Sequence, residues 1–272
     1  DVLSYNSMEM KQNALVYPFY LLYKYYYLIY VLALKELKIR YRGSVFGFLW
    51  SMLNPLLNLL IYTFLFVVIF KNTAKNYPVY FFSGILPWNW FSSSVMEATD
   101  SVVSAGALIT KSTLPAEIVV ITKVVSNLIN YLLSIPILFL FLIFFHVKIS
   151  FIALFLPVVI IIQFFLTSGV AFFPATWNVF YRDVRQIMQT ILQLLFFCMP
   201  VMYFDTQIPS KYQKLIYLNP IAYLIKVYHD IFYDNIMPRP ELLILLFFIS
   251  IVVYIVGFNY FHSKKDVFAE YI

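Results

Sequence analysis

Two sets of polar side chains recur at helical spacing inside otherwise apolar sequence. Asn54, Asn58 and Tyr62 fall at i, i+4 and i+8, while Gln186, Gln189, Thr190 and Gln193 fall at i, i+3, i+4 and i+7. At 3.6 residues per turn each set occupies one helical face. A buried polar group left without a partner costs about 1–3 kcal/mol, so both faces must meet protein or water. One reading is that the amides join helices within a bundle. The other is that they line a hydrated path, with Asn54, Asn58, Tyr62, Gln189 and Gln193 along it. Arg40 and Arg42 allow a similar pair of readings: guanidinium groups that grip phosphate oxygens bidentately, or cations that anchor a helix at a membrane surface.

Catalytic chemistry is not indicated. None of the six glycines is followed by Lys, so no G-x-x-x-x-G-K-[ST] phosphate loop exists and ATP hydrolysis by that route is excluded. His146, His229 and His262 are scattered, with neither an H-E-x-x-H pattern nor a Cys/His cluster, so no metal site is expected. Asp230 and Asp234 stand at i, i+4, a spacing open to paired carboxylates, but the pair reads as a solvated helical face and no enzyme is built on it. The single cysteine, Cys198, sits in apolar sequence and reads as a buried core thiol that forms no intramolecular disulfide.

The elements that position these residues are membrane spans. Hydrophobic residues make up 62% of the chain and charged ones 12%, with a mean hydropathy of +0.83, against roughly 25% charged in soluble domains. From Trp50 to Phe70 the chain carries no charge, a length of about 31 Å as helix and enough for a hydrocarbon core about 30 Å thick. Further spans are expected at about 79–99, 118–145, 151–179, 188–204 and 242–261, six in all, with Pro87, Pro136, Pro157, Pro174 and Pro200 bending or ending them. Residues 17–42 hold seven tyrosines between Tyr17 and Tyr30 and the basic run Lys35 to Arg42. They are expected to form a helix along the cytoplasmic interface; a seventh span is the alternative. A short cytoplasmic helix is expected over 101–117, and outer-face helices, partly re-entrant, over 205–240. Twelve of the 19 Lys and Arg then lie on the inner side and seven on the outer, which places both termini in the cytoplasm. The net charge of +6 is explained by these span borders, and nucleic acid is not expected as a partner.

Arg40-Tyr41-Arg42-Gly43-Ser44-Val45-Phe46-Gly47-Phe48-Leu49-Trp50-Ser51, followed by Asn54-Pro55-Leu56-Leu57, resembles the opening of the type-2 ABC transporter permeases, and among them the polysaccharide exporters. The resemblance continues at Tyr181-Arg182-Asp183-Val184 and Pro200-Val201-Met202-Tyr203, and covers the chain from about residue 20 onward. It implies an all-α integral membrane domain over residues 43–265 in a bacterial inner membrane, and a homodimer. It also implies two copies of a separate ATPase subunit that hold ATP and Mg, and a lipid-linked polysaccharide of O-antigen type as substrate. The chain itself would hold no cofactor. On that footing Trp88, Trp90, Phe91 and Trp177 are candidate stacking surfaces for sugars. Arg40 and Arg42 become candidates for a lipid diphosphate, and Lys111, Pro115, Glu117, Arg182 and Asp183 for ATPase docking. A capsule or teichoic-acid polymer, or a small hydrophobic molecule, would suit the same fold. A membrane-embedded glycosyltransferase is the reading from another class, weakened by the lack of a D-x-D motif.

Overall fold

The computed structural model describes residues 14–69, 76–106 and 114–271, and among them it is helical without strands. The long elements are α1 (Tyr17–Arg40), α2 (Trp50–Thr63, continued by a π turn over Phe64–Ile69), α3 (Tyr77–Ser104), α4 (Ala116–Phe144), α5 (Leu156–Phe180), α6 (Val184–Cys198) and α9 (Pro240–Lys264). Between α6 and α9 lie the short helices α7 (Ser210–Tyr217) and α8 (Pro220–His229). Prolines start several of them: α1, α3, α5, α8 and α9 each carry one in the first turn, where the missing N–H has no intrahelical acceptor to lose. Asn219 caps α8 by accepting the Ile221 N–H at 3.0 Å.

Among the described residues three helical stretches are long and apolar enough to cross a membrane: Ala116–Phe144, Phe151–Phe180 and Pro240–Val267. The chain is thus a membrane protein with helices packed around α3. Every residue from Tyr77 to Trp88 is buried, as α3 is enclosed by α4, α5, α6 and α8. Gln163 of α5 donates to the Pro87 carbonyl at 2.8 Å, a buried amide joining two apolar helices.

α5 and α9 approach backbone to backbone at two glycines. A Cβ built on Gly257 would lie 2.2 Å from the Gly169 carbonyl oxygen, and one on Gly169 would lie 2.6 Å from the Tyr254 backbone nitrogen. Around this crossing Phe172, Tyr254 and Phe258 pack ring against ring, which the near contact of the two backbones permits. The small-xxx-small spacing visible in the sequence, Gly43-x-x-x-Gly47, does something else. Both residues have positive φ (76° and 48°), a Cβ on either would meet nothing within 4 Å, and they shape the turn from α1 to α2.

Two other elements differ from expectation. The helix expected over 188–204 occupies Val184–Cys198, because Pro200 cannot continue it and Met199 turns to extended geometry (φ −102°, ψ 148°). At 15 residues it is about 22 Å long, short of a bilayer core. Residues 199–204 then fold back against α3. The Tyr77 hydroxyl donates to the Met202 carbonyl at 2.8 Å and the Tyr80 hydroxyl to the Tyr203 carbonyl at 2.8 Å. α8 is not a surface helix throughout: Ile221, Leu224, Ile225, Tyr228 and His229 are buried against the bundle. Cys198, read as a buried thiol, is exposed at the end of α6.

α1 packs along the first part of α4: Glu36 pairs with Lys123 at 2.7 Å and Arg40 donates to Asn127 at 3.2 Å, an advance of four residues on each helix. Its inner stripe, Leu21, Ile29, Ala33 and Leu37, is buried, whereas Tyr23, Tyr26, Tyr27 and Tyr30 face outward. Of the stretch 101–117 expected as a separate cytoplasmic helix, residues 101–104 belong to α3 and 116–117 to α4, and residues 107–113 lie outside the described residues.

Candidate functional site

The polar face of α2 does not stand alone. Asn58 and Tyr62 of α2, Trp88, Asn89 and Ser92 of α3, and Gln193 and Phe196 of α6 line a cavity of about 280 Å³. A second cavity of about 340 Å³ adjoins it, sharing Asn58 and Asn89, and is lined further by Arg40, Asn54, Trp90, Ser93, Asn127, Asn130, Tyr131 and Ser134. Together they make a polar furrow between α2 and α3, closed on one side by α6 and on the other by α4. Its chemistry is uniform: neutral amides and hydroxyls, which donate and accept with equal ease, set among flat aromatic faces. Among the described residues no carboxylate lines it, and the one charged side chain is Arg40.

The residues expected along a path divide accordingly. Asn54, Asn58, Tyr62, Trp88 and Gln193 are brought together here, with Trp90 at the edge of the second cavity. Trp90 also has a packing duty, since its indole donates to the Val124 carbonyl at 3.2 Å and its ring stacks on Tyr131 at 5.3 Å. Phe91 lies buried behind Trp88, ring centroids 5.8 Å apart, and props it rather than facing the space. Gln189 is exposed on α6 outside both cavities. Trp177 lines neither cavity and donates to the Tyr260 hydroxyl at 3.1 Å where α5 meets α9. Missing from the sequence reading were the facing polar residues: Asn89, Ser92 and Ser93 on α3, and Asn127, Asn130 and Ser134 on α4. Both sets obey the i, i+3, i+4 or i+7 spacing that picked out the α2 stripe.

Arg40 is already engaged. Its Nη2 donates to both Glu97 oxygens at 2.7 Å and its Nη1 to Asn127 Oδ1 at 3.2 Å. Arg42 is exposed in the turn to α2.

At the start of α4, Glu117 departs from the surface position expected of a docking residue, because it is fully buried. His262 Nδ1 donates to its Oε1 at 2.6 Å and Lys265 Nζ at 3.3 Å, so the carboxylate fastens the start of α4 to the end of α9. Pro115 is half-buried beside it. Arg182 and Asp183 are exposed, the former donating to the Tyr271 carbonyl at 3.2 Å. Lys111 lies outside the described residues. Replacing Glu117 with alanine is expected to cost the isolated chain about 1–3 kcal/mol, since His262 and Lys265 lose their acceptor. Thermal unfolding in detergent measures this. An unchanged midpoint combined with lost ATPase binding would instead make Glu117 a docking contact.

The Asp230/Asp234 pair stands beside a network around Lys226, whose Nζ lies 2.7 Å from Asp205 and 3.4 Å from Asp230; the Tyr217 hydroxyl also donates to Asp205. Burial pushes the Asp230 carboxyl up, only partly offset by the Lys226 charge, while burial pulling the Lys226 ammonium down is outweighed by Asp205 and Asp230. This arrangement ties α8 to the segment after α6. Beside it, His229 sits flat on Tyr80 at 3.8 Å, one ring nitrogen 3.0 Å from the Pro200 carbonyl and the other 3.0 Å from the Ser83 hydroxyl. Among the described residues no group of acidic, histidine and cysteine side chains could hold a metal.

The family model described as "ABC-2 type transporter" matches residues 27–233, from within α1 to the end of the α8 segment and including the whole furrow. The chain belongs to the ABC-2 type transporter family. Its similarity to individual members runs nearly end to end. It is 36% identical over 253 residues to the O-antigen export system permease protein RfbA of Myxococcus xanthus, covering 92% of this chain and 97% of that protein. It is 32% identical over 265 residues to the protein of the same name from Klebsiella pneumoniae, covering 97% and 99%. The polysialic acid transport protein KpsM of Escherichia coli is more distant, 20% identical over 241 residues.

Proposed function

We propose that this ABC-2 family chain is the membrane subunit of an exporter that moves a lipid-linked polysaccharide of O-antigen type across a bacterial inner membrane, driven by a separate ATPase. The observation that carries this reading is the near-complete coverage of the O-antigen permeases at 32–36% identity, against 20% for the polysialic acid transporter. The furrow's chemistry fits. Amides and hydroxyls at successive turns offer weak, repeated hydrogen bonds to sugar hydroxyls, and Trp88 and Tyr62 offer flat faces to pyranose C–H surfaces. Contacts that are individually weak let a polymer slide, whereas a single tight site would hold it.

In this reading two copies of the chain assemble with two ATPase subunits that carry ATP and Mg. Six helical crossings use α2, α3, α4, α5, α6 with its extended continuation, and α9. α1 lies in the cytoplasmic headgroup layer, with its four outward tyrosines at the depth where tyrosine partitions, and both termini are cytoplasmic. The ATPase docks against the connection between α3 and α4 and against the exposed Arg182-Asp183 turn. Cells lacking this chain are expected to retain lipid-linked polymer inside, and to regain surface polymer only when it is supplied together with an ATPase able to hydrolyse ATP. Undiminished surface polymer in its absence would overturn the assignment.

A further inference from the structure

The cytoplasmic end of α3 carries two carboxylates one turn apart, Glu97 and Asp100, on the same helical face. Each is paired with an arginine at the root of a different wall of the furrow. Glu97 holds Arg40, the last residue of α1, from which a turn of nine residues leads into α2. Asp100 Oδ2 holds Arg185 Nη1 at 2.8 Å, while its Oδ1 accepts from Asn178 Nδ2 at 3.3 Å. Arg185 is the second residue of α6, about two turns from Gln193.

The far end of α6 is bound to α3 as well. The carbonyls of Pro200, Met202 and Tyr203 accept from the Tyr80 and Tyr77 hydroxyls, and His229 adds a contact to Pro200. α6 is therefore tied to α3 at both ends. The outer end of α2 meets α3 by ring packing, Tyr62 on Phe81 at 4.6 Å, and the charged tie between the α1–α2 turn and α3 runs through Arg40.

We infer that Glu97 and Asp100 form the joint through which motion of the cytoplasmic connection after α3 reaches both walls of the furrow. This rests on the ATPase-driven reading above. Asp100 stands four residues before the end of α3, so a push on that connection displaces both carboxylates together. The ion pairs then carry α2 through Arg40 and α6 through Arg185. Half-exposed ion pairs of this kind add little to folding stability, so their geometry serves to fix which elements move as one. Glu97 and Asp100 are positioning residues, since neither lines the furrow.

The test uses the chain assembled with its ATPase, comparing the single reversals Asp100→Arg, Arg185→Asp, Glu97→Arg and Arg40→Glu with the two exchanged pairs. Polymer exported per ATP hydrolysed is expected to fall about tenfold in each single reversal and to return to within about twofold of wild type in the Asp100/Arg185 exchange; because Arg40 also lines the furrow, the Glu97/Arg40 exchange is judged by the spin-label distance. Spin labels on the exposed Leu57 and Leu194 provide a second readout that needs no polymer. Their separation should change between nucleotide-free and ATP-bound complex in the wild type, lose that change in the single reversals and regain it in the exchanges. Where a reversal hinders assembly, Glu97→Gln and Asp100→Asn test the same loss without adding a charge. Single reversals that couple like wild type, or exchanges no better than the worse single variant, would overturn the joint. A wild-type complex that changes distance with ATP but exports no polymer would overturn the transport reading and leave the joint standing.

Discussion

Gly257→Leu is expected to leave little folded protein, and Gly257→Ala to lower stability by about 1–3 kcal/mol, the range for overpacking a tight core. The cause is local and steric. Any Cβ at this position would come 2.2 Å from the Gly169 carbonyl oxygen, a backbone atom that cannot rotate away. α5 and α9 would have to part, and the ring contacts of Phe172 with Tyr254, Phe258 and Phe261 would open with them. Gly47→Ala provides the contrast: nothing stands within 4 Å of its Cβ, so its cost is only the positive φ of 48°, about 1–2 kcal/mol. Thermal unfolding and size-exclusion recovery of the purified chain give the ordering. Equal midpoints for Gly257→Leu and wild type would mean that the two helices do not meet there.

That crossing was not legible in the sequence. Gly169 and Gly257 stand in different spans with no shared spacing, and only the folded arrangement brings them together. The Gly43/Gly47 pair carried the familiar helix-contact spacing and turned out to serve a turn, because spacing says nothing about φ. α4, α5 and α9 were readable because a long uncharged run has few physical alternatives to a membrane helix. The end of α6 was misplaced by six residues: the apolar run continues past Pro200, but helical geometry does not.

The candidate site was half legible for a similar reason. Helical period located Asn54, Asn58, Tyr62 and Gln193, since a polar residue repeating on one face of an apolar helix demands a partner. Trp177, picked out by composition, lines neither cavity and donates its indole N–H to Tyr260. Charge misdirected Glu117: a carboxylate at the start of a helix reads as exposed, and the basic residues that let it be buried, His262 and Lys265, come from the other end of the chain. Asn127, Asn130 and Ser134 had the spacing to be found and sit on the wall opposite Gln193.

The second large effect tests the account itself. Asn58 lines both cavities and Gln193 faces it from α6, and both are exposed to the furrow rather than bonded into the bundle. Leucine is at home in a membrane helix, so Asn58→Leu and Gln193→Leu should fold and bind the ATPase. Each removes one hydrogen-bonding rung, worth about 1 kcal/mol to a neutral partner, and the double variant should lower export by about tenfold or more. If the amides only fasten helices, the same substitutions would reduce the amount of folded complex and leave export per complex unchanged. The deciding measurement is surface polymer normalised to assembled complex in the Asn58→Leu/Gln193→Leu variant: a ratio at or below about one-tenth of wild type is the result expected of a polysaccharide path, and a wild-type ratio would show that the polymer passes elsewhere.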